Sequence, residues 1–262
     1  MTSPTILALD FDGVVCDGLL EYFQTAWKAY LEVFKPASLD PPAGLAERFY
    51  PLRPVVETGW EMPLVLYGLI TGVDDTDILM DWPELVPKLL AQAGLESATL
   101  AQAVDGVRDR WIQADVDDWL SYHRFYPGVL PRLQQVMDAG VDPIIISTKE
   151  GRFIQQLLAQ QGLALPAERI LGKEIKQPKY DTLRQLKTAH TTPVIWFVED
   201  RLKALQAVQR QLDLDDVQLF LADWGYNTAA DRQVAMQSDR IYQLSLDQFA
   251  ASFDYWQSGY SD

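Results

Sequence analysis

The sequence predicts an α/β protein: a doubly wound parallel-sheet core, residues 1–16 and 125–262, with an all-helical segment, residues 17–124, inserted after the first strand. Three observations carry that expectation. An apolar strand near the start runs into two acids, Asp10 and Asp12. From Tyr126 onward strand and helix patterns alternate, which is how a parallel sheet acquires helices on both faces. Between these parts, helical periodicity dominates and strand signal is almost absent.

The first strand reads ILALDFDGVVCD from Ile6 to Asp17. Side chains alternate along a strand, so Asp10 and Asp12 can leave the sheet on one side of the chain. A core strand rarely finishes in two charges unless something bound there uses them. Asp10 attacking a phosphorus centre while Asp12 moves a proton, with a metal neutralising the crowded charge, would account for the pair. An ordinary Asp-Gly turn is the alternative.

In the helical segment, LLEYFQTAWKAYLEVF is amphipathic and ends before the proline-bearing 36–42 loop. PELVPKLLAQAG and LAQAVDGVRDRWIQADVDDWLSYH carry the same periodicity, and five of the eight tryptophans (Trp27, Trp60, Trp82, Trp111, Trp119) lie in this part. Two crossings are expected to join it to the core, near Asp17-Gly18 and at 124–128. In the core, PGVLPRLQQVMDAG reads as a helix closed by Gly140 and DPIIIST as a buried strand. KEGRFIQQLLAQQG is a helix closed by Gly162, RIL a short strand, YDTLRQLKTAH a helix, TPVIWFVED a strand and RLKALQAVQRQL a helix. DVQLFLADWG and RIYQL complete the strands, and Ser245 with Gln248 forms a capping-box pattern opening the terminal helix.

Composition narrows the chemistry. Apolar residues make up 48% of the 262, enough for a substantial core without a disordered tract. A net charge of −15 argues against binding a nucleic-acid backbone, which needs clustered Lys and Arg. A small phosphorylated ligand stays compatible, because a site can be locally positive on an acidic protein. The one cysteine, Cys16, cannot close an internal disulfide, which fits a reducing compartment. With no basic-then-apolar leader and no apolar run near ~18 residues, the expectation is a cytoplasmic protein without membrane contact. With only His123 and His190, an imidazole-based zinc site is disfavoured; any metal would be held by oxygen, which favours Mg²⁺. Nothing in the sequence sets an oligomeric state.

Open parallel sheets bind ligands at the carboxyl ends of their strands. The strand DPIII ends at Ser147-Thr148-Lys149, where a hydroxyl and helix-start amides suit a phosphoryl oxygen, or where Ser147 simply caps the next helix. KEIKQPKYDTLRQL offers Lys173, Lys176 and Lys179, one of which could place a fixed cation between nucleophile and phosphoryl group. The apolar strand VIWFV closes on Glu199-Asp200, two acids that are costly there unless a cation pairs with them. A helix cap is the alternative role for Asp200.

These residues resemble the four motifs of the haloacid dehalogenase superfamily, in order along the chain. Asp10-x-Asp12-Gly13-Val14 resembles the first, and Ser147, followed by Thr148, stands at the second. In the family the motif-three lysine often precedes an x-x-x-L-x-x-L helix, which favours Lys179; the K-x-P arrangement at Lys176 ranks second. Glu199-Asp200 resembles the E-D form of the fourth motif, with Asp200 as direct metal ligand and Glu199 contributing directly or through water. The longer G-D-x-x-x-D form is absent, since Ala204 stands where its second acid would be. Trp224-Gly225-Tyr226-Asn227 is familiar from phosphoglycolate-phosphatase-like members and is given no chemistry.

The resemblance implies a Rossmann-like core with a helical cap and an Mg²⁺-dependent phosphatase acting on a small phosphorylated metabolite through an aspartyl-phosphate. Asp10 is the nucleophile and Asp12 the acid and base; Ser147 and a lysine hold phosphoryl oxygens, and Mg²⁺ bridges Asp10, the Asp12 carbonyl and Asp200. Asp12 sets the chain apart from dehalogenases, whose halide leaving group needs no proton. A phosphomutase, or a catalytically weak phosphate-binding or protein-interaction module on the same scaffold, is the alternative. Arg53 is a candidate substrate contact with Glu57, against an i, i+4 ion pair on a helix. Asp74-Asp75-x-Asp77 is expected to be a helix start or a solvated turn, and the clusters at Asp115-x-Asp117-Asp118 and Asp213-x-Asp215-Asp216 are expected to be exposed charge.

Overall fold

The computed structural model describes residues 3–256; the outermost residues assigned to the core from sequence, 1–2 and 257–262, lie outside it. The chain divides into two compact units, residues 1–17 with 124–262 and residues 18–123.

The first unit begins with β1 (Ile6–Leu9), whose four residues are all buried, and β2 (Cys16–Asp17). In the second unit follow α1 (Leu19–Phe34), α2 (Leu45–Leu52), α3 (Glu61–Ile70), α4 (Asp75–Ala93), α5 (Ser97–Ala114) and α6 (Val116–Leu120). The first unit resumes with β3 (Arg124–Phe125), α7 (Val129–Asp138), β4 (Asp142–Ile146), α8 (Gly151–Gln160), β5 (Ile170–Leu171) and α9 (Lys179–Ala189). It continues with β6 (Ile195–Glu199), α10 (Leu202–Gln209), β7 (Gln218–Ala222), α11 (Ala229–Met236), β8 (Ile241–Leu244) and α12 (Leu246–Ala250). The capping box at Ser245 and Gln248 is present, and Thr228 with Asp231 makes another at the start of α11, a helix the periodicity did not reveal.

Among the described residues one six-stranded sheet runs in the order β5-β4-β1-β6-β7-β8, every pair parallel. Alternate side chains serve opposite faces. Ala8, Ile146 and Phe197 join Leu183 of α9 and Leu205 of α10 in one apolar cluster. Trp196 and Phe220 pack against Trp256, which lies tilted against Phe249 of α12. Both faces are therefore dry, which is why these strands read as continuous apolar runs. The register sets Leu9 beside Ile145 on one neighbour and Val198 on the other, so β1, β4 and β6 end side by side. Whatever follows Leu9, Ile146 and Val198 emerges at the same rim.

Helices of the second unit close around a core that includes Phe23, Phe49, Leu64 and Trp82. Its buried acids are fully engaged. Glu21 accepts from Thr25, from Arg108 at 2.9 and 3.2 Å and from the Trp119 indole at 2.9 Å, tying α1 to α5 and α6. Glu61 accepts from Trp82 at 2.8 Å and from the backbone N–H groups of Glu57 and Thr58.

Two expectations change in detail. The 100–123 stretch, read as one helix, is two, because Asp115 adopts extended backbone and its carboxylate caps α6 through the Asp118 N–H. Asp118 in turn accepts from the Trp111 indole, so this acidic cluster has structural work beyond exposed charge. The helix around PELVPKLLAQAG starts earlier, where Asp74 caps it through the Thr76 N–H, and it kinks at Asp81 two residues before Pro83. The cluster at Asp213 is tied down by Arg184, and Asp216 by Lys187. No helix of the described residues is long and apolar enough to cross a membrane.

Candidate active site

Two neighbouring strand ends supply the charges. Asp10 follows β1 directly, Glu199 is the last residue of β6 and Asp200 follows it. One oxygen from each of these three carboxylates lies within 4.8 Å of the others, and all three residues are buried. Lys179, the first residue of α9, reaches into the group: its Nζ is 2.9 Å from Asp10 Oδ2 and 2.6 Å from Glu199 Oε2. Of the two ranked lysines, the one in contact is therefore Lys179. Lys176 is exposed and closes a short 3₁₀ turn in left-handed backbone, φ 52°, which corrects its candidacy for the site. The helix start decides between them, since α9 begins at Lys179 with Pro178 before it.

Asp12 is held differently. Lys149 Nζ lies 3.1 Å from its Oδ1 and 3.3 Å from its Oδ2, a forked contact with the lysine side chain only 10% exposed. The Lys149 backbone is itself fixed: its N–H donates to Ser147 Oγ at 3.2 Å and its carbonyl accepts from Lys173 N–H at 2.9 Å. Sequence reasoning passed over Lys149 as a neighbour of Ser147. Ser147 is buried at the end of β4 and does not cap α8, whose cap position is Glu150. Thr148 beside it is exposed.

Asp200 is not a helix cap either; Arg201 occupies that position for α10. The Asp200 Oδ2 accepts the Tyr226 N–H at 2.7 Å, while its Oδ1 is buried without a hydrogen-bond partner. A carboxylate offers about four lone-pair sites. Glu199 uses most of them, accepting from Lys179 and from the Asp200 and Arg201 N–H groups. Asp10 accepts from Phe11 N–H at 2.7 Å and from Lys179, and Asp200 has the most capacity left. Gly13, at φ +88°, lies so close that a Cβ there would sit 2.1 Å from Asp200 Oδ2.

The electrostatics follow from the geometry. Four carboxylates face two ammonium groups, so ionised side chains leave two negative charges in a largely buried place. Burial, then the Glu199 charge, push Asp10 up to about 7 against the pull of Lys179. Burial also raises Glu199 and Asp200. Burial alone would lower the Lys179 ammonium, but Asp10 and Glu199 outweigh it and hold it well above its ordinary value. Burial, with Asp12 next, pushes the Cys16 thiol far up, so it packs as an apolar residue. An orphaned carboxylate oxygen, an all-oxygen donor set and two uncompensated negative charges fit a hard divalent cation such as Mg²⁺.

Arg53 belongs to the helical unit. Its guanidinium lies 4.6 Å from the Tyr22 ring centroid and donates to the Val56 carbonyl at 3.2 Å. The 3₁₀ turn carrying it ends at Val55 and Val56 is extended, so Arg53 and Glu57 do not share a helix face as an i, i+4 pair would.

No protein-family model matches the chain, and no curated protein matches it in sequence. Solved structures do match: the chain has the fold of haloacid dehalogenase-like hydrolases. A predicted phosphoglycolate phosphatase from Haemophilus somnus is similar at a TM-score of 0.58 and 17% identity, over 95% of this chain and 96% of that one. A predicted phosphatase from Clostridium acetobutylicum gives 0.55 and 15% over 95% and 97%. A haloacid dehalogenase-like family hydrolase from Streptococcus pneumoniae gives 0.54 and 16% over 92% and 94%.

Proposed function

We propose that this protein hydrolyses a small phosphate monoester with Mg²⁺, passing the phosphoryl group through Asp10. The observation that supports this most is the buried meeting of Asp10, Glu199 and Asp200 with Lys179 at the rim of the sheet. A solvated acidic turn has no reason to place three carboxylates together out of water, because each buried charge costs several kcal/mol, about that order, unless it is paired.

Asp10 and Asp200, supported by Glu199, would hold the cation, with the Asp12 carbonyl added by family resemblance. When bound it supplies positive charge that lets an anionic nucleophile approach an anionic phosphoryl group. The residues do the rest. A carboxylate oxygen of Asp10 attacks phosphorus in line, the bond to the leaving oxygen breaks, and Asp12 delivers a proton to that oxygen. Asp12 then takes a proton from the water that attacks the acyl phosphate, releasing inorganic phosphate and restoring Asp10. Lys179 fixes the direction of Asp10 and, with Ser147 Oγ and the amides before α8, receives phosphoryl oxygens.

Phosphate release from p-nitrophenyl phosphate tests this directly. Activity should need Mg²⁺, vanish in EDTA and fall at least ~10³-fold in Asp10→Asn, since an in-line attack has no substitute for its nucleophile. Equal rates under the three conditions would reject the proposal.

A further inference from the structure

The Trp224-Gly225-Tyr226-Asn227 segment, which follows β7, has no part in the chemistry above, yet it encloses Asp200. We infer that Asn227 is a positioning residue that sets how tightly Asp200 holds a divalent cation, an inference resting on the metal-dependent reading of the site.

The argument starts from the hydrogen bonds. Asn227 is 5% exposed, and its Nδ2 donates to the Asp200 carbonyl at 3.1 Å and to the Ala222 carbonyl at 2.7 Å. Its Oδ1 accepts from Arg232 at 2.9 Å, and the same guanidinium nitrogen reaches the Asn227 carbonyl at 3.1 Å. Two carbonyls need a donor and one guanidinium needs an acceptor, so the amide can point only one way. Asn227 therefore pins the segment to the backbone of Asp200, and that pinning sets the Tyr226 N–H 2.7 Å from Asp200 Oδ2.

Packing removes the remaining freedom. A Cβ on Gly225 would lie 2.3 Å from Asp200 Cβ and 2.3 Å from the Gly13 carbonyl, and one on Gly13 would meet Asp200 Oδ2. Two glycines thus let backbone close on both sides of one carboxylate. Asp200 has one oxygen consumed, no space to turn, and the other oxygen, Oδ1, buried without a hydrogen-bond partner. A ligand held in one orientation loses no rotamer freedom when a cation arrives. Partners that orient a ligand in this way typically control metal affinity by about 10–100-fold.

The test is Mn²⁺ binding to the full chain, read by electron paramagnetic resonance of the free ion, with thermal unfolding followed in parallel. Asn227→Ala should weaken Mn²⁺ binding about tenfold or more. Arg232→Met, which leaves the amide in place but unanchored, should weaken it in the same direction and covers the case in which Asn227→Ala does not fold. Val208→Ala, a buried change in α10 outside the segment, controls for stability loss and should stay within about twofold of wild type. Wild-type affinity in folded Asn227→Ala, or in Arg232→Met where Asn227→Ala does not fold, overturns the positioning role while leaving the metal site intact. A wild-type chain that binds no Mn²⁺ overturns the metal reading and this inference together. Equal weakening in Val208→Ala would mean that affinity follows stability alone, which also overturns it.

Discussion

Replacing Lys179 by Met should reveal how much the charged cluster depends on the ammonium between Asp10 and Glu199. The substitution keeps a stem of similar length and removes only the ammonium, which touches Asp10 at 2.9 Å and Glu199 at 2.6 Å. Lys179 is 16% exposed in its side chain, Asp10 12% and Glu199 1%, so water cannot replace the lost partner. Removing one member of a buried ion pair costs about 3–5 kcal/mol, because the charge left behind stays desolvated. With a urea m-value of about 2–3 kcal/mol/M, that lowers the unfolding midpoint of the sheet unit by roughly 1–2 M. The assay is equilibrium urea unfolding at pH 7.5 in EDTA, repeated with Mg²⁺ and at pH 5.5. The deficit should shrink with Mg²⁺, which substitutes for the missing charge, and at pH 5.5, where the acids can take up protons. A midpoint within ~0.2 M of wild type in EDTA would show that the three carboxylates are solvated and would refute the argument.

Other outcomes follow from neighbouring features. In EDTA the folded chain binds a proton at Asp10 up to about pH 7, whereas the unfolded chain releases it near ~4; the folded state holds more protons in that window, so melting temperature should fall as pH rises from 5 to 7. Mg²⁺ should flatten that slope and Asp10→Asn should make it shallower, leaving what Glu199 and Asp200 contribute; a melting temperature that rises over the same range in EDTA contradicts the burial of Asp10. Gly13→Ala should destabilise by about 2–4 kcal/mol in chemical denaturation, since φ is +88° and the new methyl meets Asp200 at 2.1 Å. Wild-type stability there would mean the loop is not closed on Asp200. Lys149→Met should lower phosphate release by about tenfold or more and also lower the melting temperature, because Asp12 loses the ammonium that fixes and neutralises its carboxylate, and Lys149→Arg should restore part of both. Unchanged turnover would reduce the Lys149 contact to a surface ion pair.

What the sequence discloses here depends on how local the physics is. A parallel strand buried on both faces must be apolar throughout, so β1, β4, β6 and β7 announce themselves, and the acids that end them stand out against that background. Asp10, Asp12, Glu199 and Asp200 were legible for that reason. The choice between Lys176 and Lys179 was not, because it turns on where a helix begins after a proline. Lys149 was missed because its partner lies 137 positions away and meets it only once β1 and β4 lie side by side. The segment from Trp224 to Asn227 could be seen as a motif, but its grip on Asp200 depends on two glycines that no periodicity flags. The β2–β3 pair has two residues per strand, too few to leave a pattern.

That small ribbon has a structural consequence. Cys16 faces Phe125 and Asp17 faces Arg124 in antiparallel register, so the polypeptide leaves the sheet unit and comes back at one doorway. A two-residue hairpin turn would be enough to close that doorway. Everything between is a detour whose length and make-up can drift, grow or be traded for another without reordering a single strand. The rim of acids and the helices that decorate the detour are thus open to separate evolutionary revision.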